Sequence, residues 1–196
     1  CNLTEAKLQN ADLSKCVLLD AKLQHADLSK SNLDSAKLPK NLSSIILTHS
    51  SLRGCDLSAT TFKQSDLTKA NLSQSNLSNA DLRDAKLEGA QLSECKLEGT
   101  KLPKQISSVN LLRSLIATDL SDTIFQDCDL SNSDMKACVL KSSTRFVRCK
   151  HPPLLELFSV EQLVAMSRHY NEFKDNSSIQ CSSIYKGYGG TEQLRC

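Results

Sequence analysis

The residues best able to do chemistry in this 196-residue chain are nine cysteines, four histidines and a long series of aspartates. Thiolates and imidazoles bind zinc-like metals, paired cysteines close into disulfides, and neighbouring carboxylates run acid–base reactions. The spacing here supports none of these. Cys149, Cys181 and Cys196 form no Cys-x-x-Cys pair. Cys149 and His151 sit close together, but two ligands fall short of a zinc site. His25, His49, His151 and His169 are scattered, and the aspartates recur at even intervals rather than in couples. No nucleophile elbow, phosphate-binding loop or dinucleotide glycine motif is present. The chain is therefore expected to be no enzyme, with no catalytic residue, no cofactor and no metal.

What must position these residues is a repeat. In fives, the first forty residues read CNLTE, AKLQN, ADLSK, CVLLD, AKLQH, ADLSK, SNLDS, AKLPK. The third place is always Leu (Leu3, Leu8, Leu13 and onward), and the first is always small (Cys1, Ala6, Ala11, Cys16). The pattern returns from Leu52 to Leu102, with Phe62 as its one non-Leu centre, and again at Leu120, Phe125, Leu130, Met135 and Leu140. A period of five fits neither an α-helix, whose faces recur every 3.6 residues, nor a strand, whose faces alternate. It does fit one short side plus one corner of a coiled solenoid. The centre and the small residue two places before it then point inward, and the other three face water. Cys1, Cys16, Cys55, Cys95, Cys128 and Cys138 all take the small inward place, which predicts compact apolar packing. Free thiols predict a reducing compartment.

Blocks such as ADLSK, ANLSQ (residues 70–74) and ADLRD (residues 80–84) carry the signature A(D/N)Lxx. Over residues 1–150 the chain resembles the pentapeptide-repeat family. The resemblance implies an all-β solenoid: a right-handed quadrilateral β-helix with four repeats per coil. Its coils should stack ~4.8 Å apart, the inter-strand spacing. Residue n then lies under residue n+20, which places Lys7 on Asp27, Asp66 on Lys86 and Asp81 on Lys101, and Asp56, Asn76 and Lys96 in one column. Each buried Leu centre should contribute ~1.5–3 kcal/mol against the cost of ordering the backbone.

Phase breaks are expected near 39–50 and 103–118. KLPKNLSSIILTHSSLRGCDL from Lys37 and KLPKQISSVNLLRSLIATDL from Lys101 align with one gap, so a unit of about 64 residues has been duplicated. Each break opens on a proline, Pro39 or Pro103, which cannot donate to a ladder. It is either a corner absorbing a slip or a projecting binding loop. Beyond Pro152-Pro153, Ser159 and Gln162 form a capping box, and Leu163, Met166, Tyr170 and Phe173 keep helical spacing. This predicts a C-terminal α-helical cap within 151–174, where the family resemblance also implies a homodimer contact. Residues 175–196 read as a flexible tail in which Tyr185 and Tyr188 could dock a partner.

The formal net charge is +2 and no block is strongly basic or acidic, so direct nucleic-acid binding is not expected. No stretch approaches the ~20 apolar residues of a membrane span, and no signal peptide is visible. Cys1 is in phase with the repeat, which suggests a cut through a longer array; a lipoprotein amino-terminus is the alternative. The expected function is a non-catalytic protein-binding scaffold, a bacterial effector or regulator, in the cytoplasm or delivered to a host cytosol. Val17 and Leu19, two apolar residues at outward places, are its candidate contacts on the repeat. One alternative is a DNA-mimicking binder of DNA gyrase of the quinolone-resistance type, which Lys7, Lys22, Lys86, Lys96 and Lys101 at outward places oppose. The other is a purely structural spacer.

Overall fold

In each five-residue block one residue reaches the coil above, and this sets the architecture. In the computed structural model, which describes residues 1–150 apart from Leu140 and Ser142, parallel bridges join Asn2 to Lys22, Lys7 to Asp27, Asp12 to Asn32 and Val17 to Lys37. Each partner is twenty residues on, so four blocks make one coil. We number the sides one to four by these pairs. The bridging residue stands at the second place of its block. Leu3 N–H donates to the Lys22 carbonyl at 2.8 Å and Lys22 N–H to the Cys1 carbonyl at 3.0 Å. The chain then turns, with Ala6 N–H returning to the Leu3 carbonyl at 3.1 Å. The last turn residue is left-handed (Glu5 φ 58°, Lys15 58°, His25 60°). The expected columns are present: Lys7 on Asp27, Asp66 on Lys86, Asp81 on Lys101, and Asp56, Asn76 and Lys96 in line. Longer strands form only late in the described chain. β1 (Gln105–Ser107), β2 (Ile124–Gln126) and β3 (Arg145–Val147) make one parallel sheet on side two.

The centres fill the interior. Leu23, Leu28, Leu33, Leu52 and Phe62 are fully buried, as are the small-place residues Ala26, Ala70 and Ala80. A Leu every five residues therefore becomes a continuous column of packed side chains on each side. The first coil covers that core less completely, and Leu3, Leu8, Leu13 and Leu18 are only half-buried.

Two polar devices complete the repeat. Asp or Asn at the second place accepts a hydrogen bond from the N–H two residues on, as in Ser14 to Asp12 (3.0 Å), Ser73 to Asn71 (3.1 Å) and Ser131 to Asp129 (3.0 Å). This Asx turn holds the corner and explains the preference for these two residues. A hydroxyl at the small place spans coils. Ser65, Ser75 and Thr100 donate to the carbonyls of Leu42, Leu52 and Leu77 at 2.6, 2.7 and 2.7 Å.

Within the segments 39–50 and 103–118 the register slips at single points. Leu42 and Leu47 are fully buried centres with Ile45 at the small place, so the block containing Pro39 has lost one residue and the repeat resumes at once. Bridges there span nineteen residues, Asp27 to Ile46 and Asn32 to Ser51. The chain shortens by one residue again between Leu102 and Ile106 and between Ile116 and Leu120, and lengthens by one between Cys138 and Thr144; all these residues are buried. Pro39 and Pro103 are buried at shortened corners. Every slip borders side one. Among the described residues no bridge joins Lys22 to Asn41, or Lys101 to Asp119. Side three borders no slip, and its ladder runs unbroken through Asp12, Asn32, Ser51, Asn71, Gln91, Asn110, Asp129 and Lys150. The expected cap at 151–174 and tail at 175–196, with Tyr170, Phe173, Tyr185 and Tyr188, lie outside the described residues.

Candidate interaction surface

With the centres and small places consumed by packing, only outward places remain for a partner. Val17 is 66% and Leu19 52% exposed, flanking the inward Leu18 on side four of the first coil. Both project into water because their places in the block, second and fourth, always do. Val17 bridges Lys37 in the next coil, so a lysine stem rises beside the apolar pair. Among the described residues two more large apolar side chains are exposed, Ile46 (39%) and Val139 (52%), on sides two and one. The sequence reading passed over both. Val139 was detectable, since Cys138-Val139-Leu140 repeats the Cys16-Val17-Leu18 triplet. Ile46 was hidden inside the supposed break.

Val139 also lines an open groove of about 950 Å³ bordered by Arg83, Lys101, Lys104, Ala117 and Asp119. It lies where the ladder of side one is open. At that corner the Thr118 hydroxyl, at 2.5 Å, takes the Thr100 carbonyl that a backbone N–H would otherwise reach.

The outer surface is charge-compensated between coils. Arg148 forks onto Asp127 with two contacts of 2.7 Å, and Lys86 lies 3.6 Å from Asp66. Arg83 grips Asp81 within its own block at 2.6 Å. The Arg83 hydrogen bonds hold the Asp81 carboxyl down at about 2. Hydrogen bonds from Ser29 and Ser58 likewise lower Asp27 and Asp56. Such exposed pairs contribute little to stability individually, but they set opposite charges side by side on the outer face.

Of the cysteines at small places, Cys1 is exposed and Cys16 half-buried, because the first coil covers the core less completely, whereas Cys55, Cys95, Cys128 and Cys138 are buried. The Cys55, Cys95 and Cys138 thiols donate to the Leu33, Leu72 and Ile116 carbonyls at 3.1, 3.0 and 2.8 Å. Burial pushes them up to about 11, 12 and 11, so each stays a thiol near neutral pH. Cys149, placed outside the clear repeat by sequence, is buried at a small place as well. Among the described residues no group of three or more His, Cys, Asp and Glu is placed to hold a metal. Among those residues no helix is long and apolar enough to cross a membrane.

Stacked five-residue sides, a sealed aliphatic interior and a polar exterior define a solenoid scaffold of the β-helical class. The family model for pentapeptide repeats matches in eight copies over residues 1–38, 41–74, 65–102 and 114–143. The chain belongs to the pentapeptide repeat family, whose members fold as right-handed β-helices. Among solved structures it is similar to HetL, a pentapeptide repeat protein involved in heterocyst differentiation regulation in the cyanobacterium Nostoc sp. strain PCC 7120. That likeness has a TM-score of 0.52 at 24% identity and covers 76% of this chain and 79% of HetL. It is also similar to Rfr23 from the cyanobacterium Cyanothece 51142 (TM-score 0.27, 22% identity, 74% and 90% covered). A third likeness is to QnrB1, a plasmid-mediated fluoroquinolone resistance protein (TM-score 0.33, 16% identity, 74% and 85% covered). No curated protein matches the chain.

Proposed function

We propose that this pentapeptide-repeat solenoid is a non-catalytic scaffold that binds a partner protein through the outward apolar edge formed by Val17 and Leu19. The observation that carries this reading is their adjacency. Two large apolar side chains stand exposed on one side of one coil, where nearly every other outward place is polar. Removing such a pair from water favours association, and neighbouring polar residues set its orientation. Paired charges such as Arg148–Asp127 and Lys86–Asp66 favour a protein partner over a DNA-mimicking role, which needs a sustained negative surface. The free, buried thiols support a reducing compartment, the cytoplasm or a host cytosol.

The test compares the wild-type chain with a Val17→Ser/Leu19→Ser variant as bait in source-cell lysate, after confirming that both melt alike. A protein held by the wild type and lost from the variant supports the reading. An identical set held by both removes the edge from consideration. Deleting residues 175–196 in parallel asks the same of Tyr185 and Tyr188.

A further inference from the structure

Cys128 and Cys149 occupy the same small inward place on side three in successive coils. The backbone fixes their juxtaposition: Lys150 N–H donates to the Cys128 carbonyl at 2.8 Å, and Asp129 bridges Lys150 in parallel. Three residues before each cysteine, the rings of Phe125 and Phe146 stack with centroids 5.1 Å apart, which measures the local coil spacing. A disulfide joins Cα atoms ~4.4–6.8 Å apart, so one coil step is the right span. Both cysteines are nearly sealed, at 1% and 4% exposure. Yet an open depression of about 220 Å³ lies beside them, lined by Ser108, Val109, Asn110, Asp127, Asp129 and Lys150. Asp127 and Asp129 flank Cys128, and Lys150 follows Cys149, so the depression borders the backbone on either side of the pair.

Their sulfur contacts also differ from those of the other buried cysteines. Cys128 reaches the Ile106 and Gln126 carbonyls at 3.5 and 3.3 Å, and Cys149 reaches those of Phe125 and Val147 at 3.4 and 3.6 Å. These are longer than the single contacts of Cys55, Cys95 and Cys138.

We infer that Cys128 and Cys149 form a redox-active thiol pair that closes into a disulfide when oxidised by a peroxide. The Cys128 sulfur attacks the peroxide O–O bond and becomes a sulfenic acid, releasing the first water from hydrogen peroxide. Cys149 sulfur then attacks the Cys128 sulfur, the S–S bond forms, and the sulfenic oxygen leaves as the second water. Two thiols lose two hydrogens and one peroxide gains two electrons. The interaction between the two thiols lowers Cys128 and raises Cys149, which makes Cys128 the readier nucleophile. Closure would staple the coil containing Phe146 to the one below it.

The test treats the whole folded chain with stoichiometric hydrogen peroxide, then measures intact mass, maps tryptic peptides without reduction, and records the melt. The expected result is loss of two hydrogens, a peptide bearing Cys128 linked to one bearing Cys149, and a melting point higher by about 5 °C or more. A thiol reductant reverses all three. Cys149→Ser, with the hydroxyl that already fills this place at Ser75 and Ser133, should fold normally and show neither the link nor the shift. The inference is overturned if both thiols stay reduced in the folded chain, if Cys128 is found joined to Cys181 or Cys196, or if Cys149→Ser gains the same stability on oxidation.

Discussion

Phe125 and Phe146 stack face to face one coil apart, with ring centroids separated by 5.1 Å and planes inclined by 8°. They are the centres of β2 and β3, so side-chain stacking and the parallel ladder reinforce one spacing. Phe146→Ala should therefore cost ~3–5 kcal/mol. Phe146→Leu, which restores the usual centre residue, should cost about 1 kcal/mol. Denaturant melts of the two variants check the ranking, and equal losses would contradict it.

Ala80 is fully buried at the small place beside the Leu82 centre. A larger residue there meets packed neighbours on the same side and in the coils above and below. Ala80→Leu should destabilise by ~1–3 kcal/mol. An unchanged melting temperature would show that the interior has room to spare.

Ser75 serves both neighbours at once: its hydroxyl donates to the Leu52 carbonyl at 2.7 Å and accepts from Cys55 N–H at 3.2 Å. Ser75→Ala fits the space but leaves Cys55 N–H only its longer bond to the Leu52 carbonyl, at 3.4 Å, and should cost ~0.5–1.5 kcal/mol. Amide hydrogen exchange should show Cys55 N–H less protected in the variant.

Acid should weaken the solenoid through its Asx turns. Asp81 is held at about 2 in the folded chain, below the ~3.9 of an unfolded aspartate. Its contribution is therefore fully present above the unfolded value and lost as pH falls towards the folded one. Asp12, Asp27, Asp56, Asp66 and Asp119 are lowered too, so they act in the same direction. The melting temperature should hold steady from pH 7 to about 5 and fall below about 4. Asp81→Asn keeps the acceptor for the Arg83 N–H and should flatten part of that fall. A melt insensitive to acid would remove the turns from the account.

Ala59 sits at the last turn place with φ 52°, where an alanine is strained and a glycine is not. Ala59→Gly should gain about 0.5 kcal/mol, the relief of strain less the added chain entropy. At the equivalent place in a later coil, Gly99→Ala should destabilise, because its Cβ would lie 2.5 Å from Asn79 Oδ1. Opposite signs in paired melts are the expected outcome.

The five-residue period made the coil legible before any coordinates. The stacking of Lys7 on Asp27 and of Asp81 on Lys101 followed once the family resemblance supplied four repeats per coil. The slips were harder to read because a shortened corner leaves no mark except a shift in phase. Ile45, Ile46 and Leu47 looked like an apolar run, yet they are a small-place residue, an exposed outward residue and a centre. The Ser75 bridge was illegible for another reason. Serine, alanine and cysteine all satisfy the small place by volume, and only the carbonyl within reach reveals what the hydroxyl adds. The outward apolar pair Val17 and Leu19 was visible, because solvent-facing places are fixed by the period itself.

The shortened corners give the internal duplication an unexpected geometry. Asn41 and Gln105 are equivalent residues of the two KLPK copies, yet Asn41 stands in the column of Thr61, Asp81 and Lys101, whereas Gln105 stands in that of Ile124 and Arg145. The copied unit is not a whole number of coils, so the second copy is rotated by a quarter turn about the long axis. Identical motifs thus look in perpendicular directions. A ligand lying along one flank cannot read both as a row, and after the duplication each copy was exposed to different surroundings and free to diverge for them.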